Sequence, residues 1–261
     1  MNGKEIRLAR ITENGKGIIV PMDHGTSDGP IAGLVNINRL VPKLIEGGAT
    51  AILAHKGIIR RLNGVPNCGL IMHLTASTKF ASDPNDKVQV TLVEEAVRQG
   101  VDAVSIHVNL GGSDSEPEML KILGETARIC DELQMPLLAM MYPRGGNIKE
   151  KFDPEAVALV ARVGGELGAD MVKTVYTGSP DSFREVVEGC PVPIVIAGGP
   201  KCENDRDALQ MVKGAMEAGA IGISLGRNVF QHRNPAAMLK ALRAIIIRDE
   251  SVERCLAMLE Q

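Results

Sequence analysis

The chain has 261 residues, 44% of them hydrophobic, and a formal net charge of −3. That is enough apolar material for one large core, and the weak negative charge argues against a nucleic-acid or membrane surface. With no Trp and only two Tyr, stacking platforms for single-stranded nucleic acid are excluded as well.

Eight short β-type runs can be marked in chain order: Gly17–Met22, Thr50–His55, Gly69–Leu74, Asp102–Val108, Leu137–Tyr142, Asp170–Thr174, Val192–Ala197 and Ile221–Leu225. Most are continuous apolar runs, as parallel strands covered on both faces should be, and helical stretches separate most of them. The pattern predicts an α/β fold, a (β/α)8 barrel forming one domain over residues 1–261. The helical stretches are Ser113–Leu133, a helix opened by Asp153-Pro154, Asn204–Ala218 and Pro235–Ile247. Ser251–Leu259 reads as a short appended C-terminal helix. Gly57–Asn67 is a short basic loop, and Thr75–Lys87 is a polar segment long enough to hang over an opening, with part of it a candidate helix.

A weak repeat sets the register. Gly48, Gly100, Gly168 and Gly219 each stand just before an even-numbered run, where a preceding helix needs a left-handed cap. Four residues on from each lie Ile52, Val104, Val172 and Ile223, which should face the helices. Three and five residues on lie Ala51 and Leu53, Ala103 and Ser105, Met171 and Lys173, Gly222 and Ser224, which should face the barrel interior because strand side chains alternate. Lys173 is therefore an inward lysine in an apolar strand. Burial disfavours its charge, which frees the amine to attack a carbonyl as a Schiff-base nucleophile. The bland alternative is a lysine that snorkels to solvent at a strand end.

Active sites of such barrels lie at the C-terminal strand ends. Read there, Asp23-His24-Gly25, His55-Lys56, His73, His107, Tyr142-Pro143-Arg144, Lys173-Thr174, Gly198-Gly199 and Gly226-Arg227 converge on one mouth. Gly198-Gly199 and Gly226-Arg227 follow runs seven and eight, the usual place for a barrel phosphate cradle, and point to a phosphorylated substrate. Tyr142 suits a proton donor, or a rim tyrosine packed on helices. Asp23 suits a proton acceptor, or a cap for the loop that follows it. His24, His55, His73 and His107 with Asp23 form a rival zinc set, but no HxH or HExxH spacing supports it, so no metal or cofactor is expected. Lys56 competes with Lys173 as the amine; it precedes Gly57 and should be better solvated, binding an anionic group instead.

Five scattered Cys (68, 130, 190, 202 and 255) without a CxxC pair read as reduced thiols. With no apolar leader at the N-terminus and no run near the roughly 20 residues of a membrane helix, the expectation is a cytoplasmic protein.

Several runs together are more specific: Val20-Pro21-Met22-Asp23-His24-Gly25, His55-Lys56-Gly57-Ile58, Asp102 through Asn109, Met140 through Gly145, Val172-Lys173-Thr174, Ala197 through Pro200, and Gly226-Arg227-Asn228. With these, the chain from Arg10 to Gln231 resembles the class I aldolases related to deoxyribose-phosphate aldolase and archaeal fructose-bisphosphate aldolase. The resemblance implies Lys173 as Schiff-base former, Tyr142 as proton donor and Asp23 as proton acceptor. It implies substrate contacts from His24, Gly25, Thr26 and Ser27, from Pro143, Arg144 and Thr174, and from Gly198, Gly199, Gly226 and Arg227; Lys56 and His107, read from the residues alone, are supporting candidates. Arg144 or Lys56 is the candidate for holding an acceptor carboxylate. Fructose-bisphosphate aldolases of the group tend to carry Trp two residues before the Tyr; here that residue is Met140. This favours the subgroup of synthases that join L-aspartate 4-semialdehyde to a ketose-phosphate fragment, with a fructose-bisphosphate aldolase as the alternative. The implied partners are small phosphosugar and aldehyde substrates and further copies of the chain in a homo-oligomer.

Overall fold

The structure is a computed structural model that describes residues 2–260. Eight parallel strands close a barrel in sequence order: β1 (Gly17–Pro21), β2 (Ala51–Ala54), β3 (Gly69–His73), β4 (Ala103–Leu110), β5 (Leu137–Pro143), β6 (Met171–Val175), β7 (Ile194–Ala197) and β8 (Gly222–Ser224). Each overlaps one run marked in the sequence. The last strand pairs with the first, Gly17 opposite Gly222, so the barrel leaves no open edge.

Helices cover the outside. They are α1 (Gly3–Ile11), α2 (Ile37–Glu46), α3 (Val93–Arg98), α4 (Glu116–Glu132), α5 (Pro154–Glu166), α6 (Pro180–Gly189), α7 (Asp205–Glu217), α8 (Pro235–Arg248) and the appended α9 (Val252–Leu259). No described helix is long and apolar enough to cross a membrane.

The alternation predicted from the repeat is the arrangement found. Ile52, Val104, Val172 and Ile223 lie in the large cluster between strands and helices. Ala51, Leu53, Ala103 and Met171 lie in a second cluster inside the barrel. The four repeat glycines have φ of +89°, +71°, +101° and +100°, the left-handed conformation in which a Cβ is strained.

Helix α1 went unmarked in the sequence, and it closes the N-terminal end of the barrel. Its Ile11 belongs to the inner cluster, a burial that contributes about 1.5–3 kcal/mol. The repeat holds it in place. Two residues after Gly100 and Gly168, Asp102 and Asp170 accept the backbone N–H groups of Leu70 and Leu137, at 2.9 and 2.8 Å. The same carboxylates pair with α1, Asp102 with Arg10 at 2.6 Å and Asp170 with Lys4 at 2.9 Å. Thr50, in the equivalent place, donates to the Ile11 carbonyl at 2.8 Å.

One expectation is corrected at the other end. No part of Thr75–Lys87 is helical. The segment leaves β3 as a narrow antiparallel ribbon, Thr75–Ala76 against Val88–Gln89, with turns between. Ser, Asp, Asn and Pro84 favour such turns, and the segment lacks an apolar stripe to bury as a helix. The loop Gly57–Asn67 begins inside a single helical turn, Lys56–Ile59.

Candidate active site

The strand ends and the ribbon enclose a cavity of about 300 Å³. Lys173 is the third residue of β6, so alternation turns it inward with Met171 while Thr174 turns outward. Its neighbours across the ladder are Met140 and Val195. The side chain is 6% exposed, lines the cavity, and makes no hydrogen bond or ion pair with any described residue. A buried amine without a partner is costly as structure, and is understandable where a reacting group will occupy the space.

Asp23 lies two residues past β1, at the N-cap of a short helix, His24–Asp28, yet its side chain makes no cap bond. The carboxylate faces the cavity, with His24 Nδ1 at 3.6 Å. Burial alone would raise its pKa; the fields of His73, His24, Lys173 and His55 outweigh that and hold it below the ordinary carboxylate range. Asp23 thus stays ionised in the folded chain.

Tyr142 ends the inward series of β5 and is 6% exposed. Its ring is held between two groups: the Arg144 guanidinium carbon 4.5 Å from its centroid, and the His107 ring at 4.8 Å, tilted 55°. Its hydroxyl has no described hydrogen-bond partner and the residue lines the cavity. His107 is itself fixed. Asn109 Nδ2 donates to the Asn85 carbonyl at 2.7 Å, so Asn109 Oδ1 is the acceptor for His107 Nε2–H at 2.9 Å. That bond assigns the proton to Nε2 and leaves Nδ1 as an acceptor.

The loops after β7 and β8 lock together. Arg227 donates from Nη2 to the Gly199 carbonyl at 2.9 Å, while its Nε is buried without a partner. Asn228 Nδ2 donates to the Gly198 carbonyl at 3.1 Å, and its Oδ1 accepts the Cys202 N–H at 2.7 Å. Gly198, Gly199, Gly226 and Arg227 all line the cavity. Backbone at two glycine loops beside an unspent guanidinium N–H can hold an anion.

Beneath the cavity a neutral polar layer supports the walls. His73 Nδ1 lies 2.8 Å from Ser105 Oγ, and its Nε2 is 3.4 Å from Thr75 Oγ1, which accepts the His107 backbone N–H at 2.9 Å. The His55 and His73 rings meet edge to face at 5.2 Å. Burial pushes His73 down to about 3 and also lowers His24 and His55. No three His, Cys, Asp or Glu side chains are grouped as metal ligands among the described residues.

Of the residues singled out from the sequence, Asp23, His24, Ser27, His107, Tyr142, Arg144, Lys173 and the four members of the glycine loops share this cavity. Gly25, Thr26, Pro143, Thr174 and Lys56 do not line it. Pro143 and Thr174 alternate outward from Tyr142 and Lys173, and Gly25 and Thr26 are exposed on the short helix. Lys56 is engaged elsewhere, donating to the Val90 carbonyl at 2.9 Å and pairing with Glu95 at 3.0 Å. The ribbon contributes lining residues that sequence reasoning missed, among them Ser77, Lys79, Asn85 and Lys87. Segment length was the only available signal for them.

Residues 17–232 match the family model described as DeoC/LacD family aldolase. The chain is 43% identical over 258 residues to the 2-amino-3,7-dideoxy-D-threo-hept-6-ulosonate synthase of Halobacterium salinarum, across 98% of this chain and 96% of that protein. It is 41% identical over 247 residues to the 2-amino-4,5-dihydroxy-6-oxo-7-(phosphonooxy)heptanoate synthase of Streptomyces griseus, across 93% of this chain and 90% of that one. Among solved structures it is similar to an archaeal fructose 1,6-bisphosphate aldolase, with a TM-score of 0.87 and 34% identity over 94% of this chain and 99% of the other. The chain belongs to the DeoC/LacD family of aldolases.

Proposed function

We propose that the chain is a Schiff-base synthase forming 2-amino-3,7-dideoxy-D-threo-hept-6-ulosonate from L-aspartate 4-semialdehyde and 1-deoxy-D-threo-hexo-2,5-diulose 6-phosphate, in aromatic amino acid biosynthesis. The observation that carries this is Lys173, an amine inside the barrel whose polar end no described residue occupies. The Asp23 carboxylate and Tyr142 hydroxyl, likewise without described hydrogen bonds, share its cavity. The 43% identity to the Halobacterium synthase over 98% of this chain supports the choice of reaction.

The uncharged Lys173 Nζ adds to the donor's C2 ketone. Proton transfers through Tyr142 and Asp23 let water leave, giving the protonated imine. The imine draws in the electrons of the C3–C4 bond as the C4 hydroxyl loses its proton. A three-carbon aldehyde departs with the phosphate, and the enamine stays on Lys173. The enamine carbon attacks the semialdehyde's aldehyde carbon, Tyr142 protonates the new alkoxide, and water hydrolyses the imine. The product's ketone is the former C2, and its chain is seven carbons long, as its name requires. The cradle of Gly198, Gly199, Gly226 and Arg227 holds the donor phosphate. Met140, beside Lys173 in the ladder, lines the cavity without a hydrogen-bonding group, where the bisphosphate aldolases tend to carry Trp.

Borohydride added with the donor should fix a sugar-derived mass on Lys173; an unmodified Lys173 overturns the reading. A second reading, cleavage of fructose 1,6-bisphosphate by the same amine, draws on the likeness to the archaeal aldolase. Faster cleavage of that bisphosphate than condensation with the semialdehyde would favour it. Assembly of barrels in the cytoplasm accompanies the proposal. Exposed Val88, Leu92 and Val97 are apolar surface available to a second copy, and sedimentation velocity reads the mass directly.

A further inference from the structure

Two cations stand on the side of the cavity away from the glycine loops. Lys87 enters from the ribbon and Arg144 from the end of β5, and both line the cavity. Neither forms an ion pair with a described residue. Arg144 spends its face on the Tyr142 ring. Lys87 Nζ donates to Ser77 Oγ and to the Pro84 carbonyl, the latter at 2.7 Å, which fixes the ammonium and leaves its third N–H free. Both residues line the same cavity as Tyr142, and the Arg144 guanidinium carbon stands 4.5 Å from that ring's centroid. Burial and the Arg144 charge push Lys87 below its ordinary range, more than Asp23, Asp83 and Asp86 offset, and a bound anion would favour the ammonium further.

A structural purpose for this pairing is missing. Lys87 is half-buried and Arg144 is exposed at the cavity rim, and repulsion between them weakens the ribbon that carries Lys87. The arrangement makes sense if a ligand supplies the negative charge. Arg227 already serves the opposite side, where the glycine loops are. The reaction involves a second anion, the acceptor's carboxylate, and its aldehyde must approach the enamine on the side where Tyr142 can protonate the new hydroxyl.

We infer that Lys87 and Arg144 form an acceptor subsite that binds the carboxylate of a four-carbon aldehyde, making Lys87 a specificity-determining residue for the proposed reaction. The inference rests on that reading of the site. It also assigns the ribbon a task, since Lys87 reaches the cavity only because Thr75 and Ala76 pair with Gln89 and Val88. Lys56 supports the ribbon from outside, through the Val90 carbonyl.

Three aldehydes of equal length separate the contributions: aspartate semialdehyde, 4-oxobutanoate, which lacks the ammonium, and butanal, which lacks the carboxylate. The wild-type chain should prefer 4-oxobutanoate over butanal. In Lys87→Met and in Arg144→Met that preference should fall about 10- to 100-fold, mostly through the acceptor KM, the size of one charge-assisted hydrogen bond. Lys87→Arg, which keeps charge and donors, should recover most of it. An unchanged preference in both Met variants overturns the subsite. Because the preference is a ratio on one enzyme and one donor, a damaged donor site cancels. Calorimetric titration with succinate reads the pair without chemistry: its Kd should weaken about 10-fold in each Met variant. Equal Kd values overturn the subsite whatever the donor proves to be. Failure of borohydride trapping in the wild type, with the succinate result intact, overturns the synthase reading and leaves the subsite standing.

Discussion

Gly226 lies against His24 so closely that a Cβ on it would stand 2.5 Å from His24 Cε1 and 3.0 Å from Phe230 Cε1. The glycine after β8 is therefore a spacing device as well as a loop residue. It lets the imidazole stand beside Asp23 and pack edge-on to Phe230 at 5.3 Å. Gly226→Ala should push the ring toward the cavity. The expected cost is about 1–3 kcal/mol of stability from overpacking. A displacement near 1 Å at the site should lower kcat/KM for the phosphosugar about 100-fold. Calorimetric unfolding and donor kinetics on the same variant check both; a variant with wild-type kinetics would show that His24 has room to move.

Lys173→Met separates chemistry from packing. Methionine has similar length and fits between Met140 and Val195. Activity should fall at least about 10⁴-fold, as for other covalent nucleophiles, and the borohydride-fixed mass should vanish. Stability should hold or rise by about 1 kcal/mol, because the variant no longer buries an unpartnered amine. A large fall in Tm would instead assign Lys173 a structural role.

The barrel was legible from a repeat and a period. Four glycines mark the starts of alternate strands, and a two-residue alternation from each separates helix-facing Val172 from cavity-facing Lys173. The mouth was legible because chemistry gathers at one end of every strand in this architecture. Helix α1 was not, because its apolar content is small and its value lies in one residue, Ile11, that reaches a distant cluster. A local signal did exist: Asn2 and Glu5 form a capping box. Lys56 lies outside the cavity and Lys87 lines it, for a different reason. Lys56 pairs with Glu95, 39 residues away, and Lys87 depends on ribbon register, and neither relation has a period that a linear reading can follow.

Asp170 tests how firmly α1 closes the barrel. Its carboxylate holds Lys4 and the N–H of Leu137 together, so Asp170→Ala removes an ion pair and orphans a backbone donor at the start of β5. The Lys4 side chain is only 12% exposed, and after the change Asp131 remains as its one carboxylate partner. The expected cost is about 2–4 kcal/mol. Asp170→Asn retains an acceptor for Leu137 and should lose less. Equal urea midpoints for wild type and the Ala variant would show that Asp102, Thr50 and the burial of Ile11 hold α1 without Asp170.

The buried imidazoles make stability depend on pH in a direction that can be worked out. Burial, reinforced by the charges of His55, Lys173 and Lys87 and opposed by Asp23, pushes His73 down to about 3 from an ordinary value of 6.5. His107 is pushed well below that value by burial first, then by Arg144 and Lys87. Both stay neutral in the folded chain at pH values where the unfolded chain protonates them. Below 6.5 the unfolded state thus binds more protons, and stability falls as pH falls, by up to about 1.4 kcal/mol per pH unit for each such histidine. For His73 the decline stops near pH 3, where the folded state takes up its own proton. Asp23 acts the same way in a lower window: its contribution is complete above its ordinary 3.8 and is lost as the folded group protonates. Urea midpoints should be flat above pH 7 and drop steadily from pH 6.5 to 4.5. In His73→Gln, which has no proton to gain on unfolding, the slope should be shallower by about one proton's worth. An identical slope in that variant would mean that His73 already carries its proton inside the barrel, and the neutral layer under Asp23 and Lys173 would have to be redrawn as a charged one.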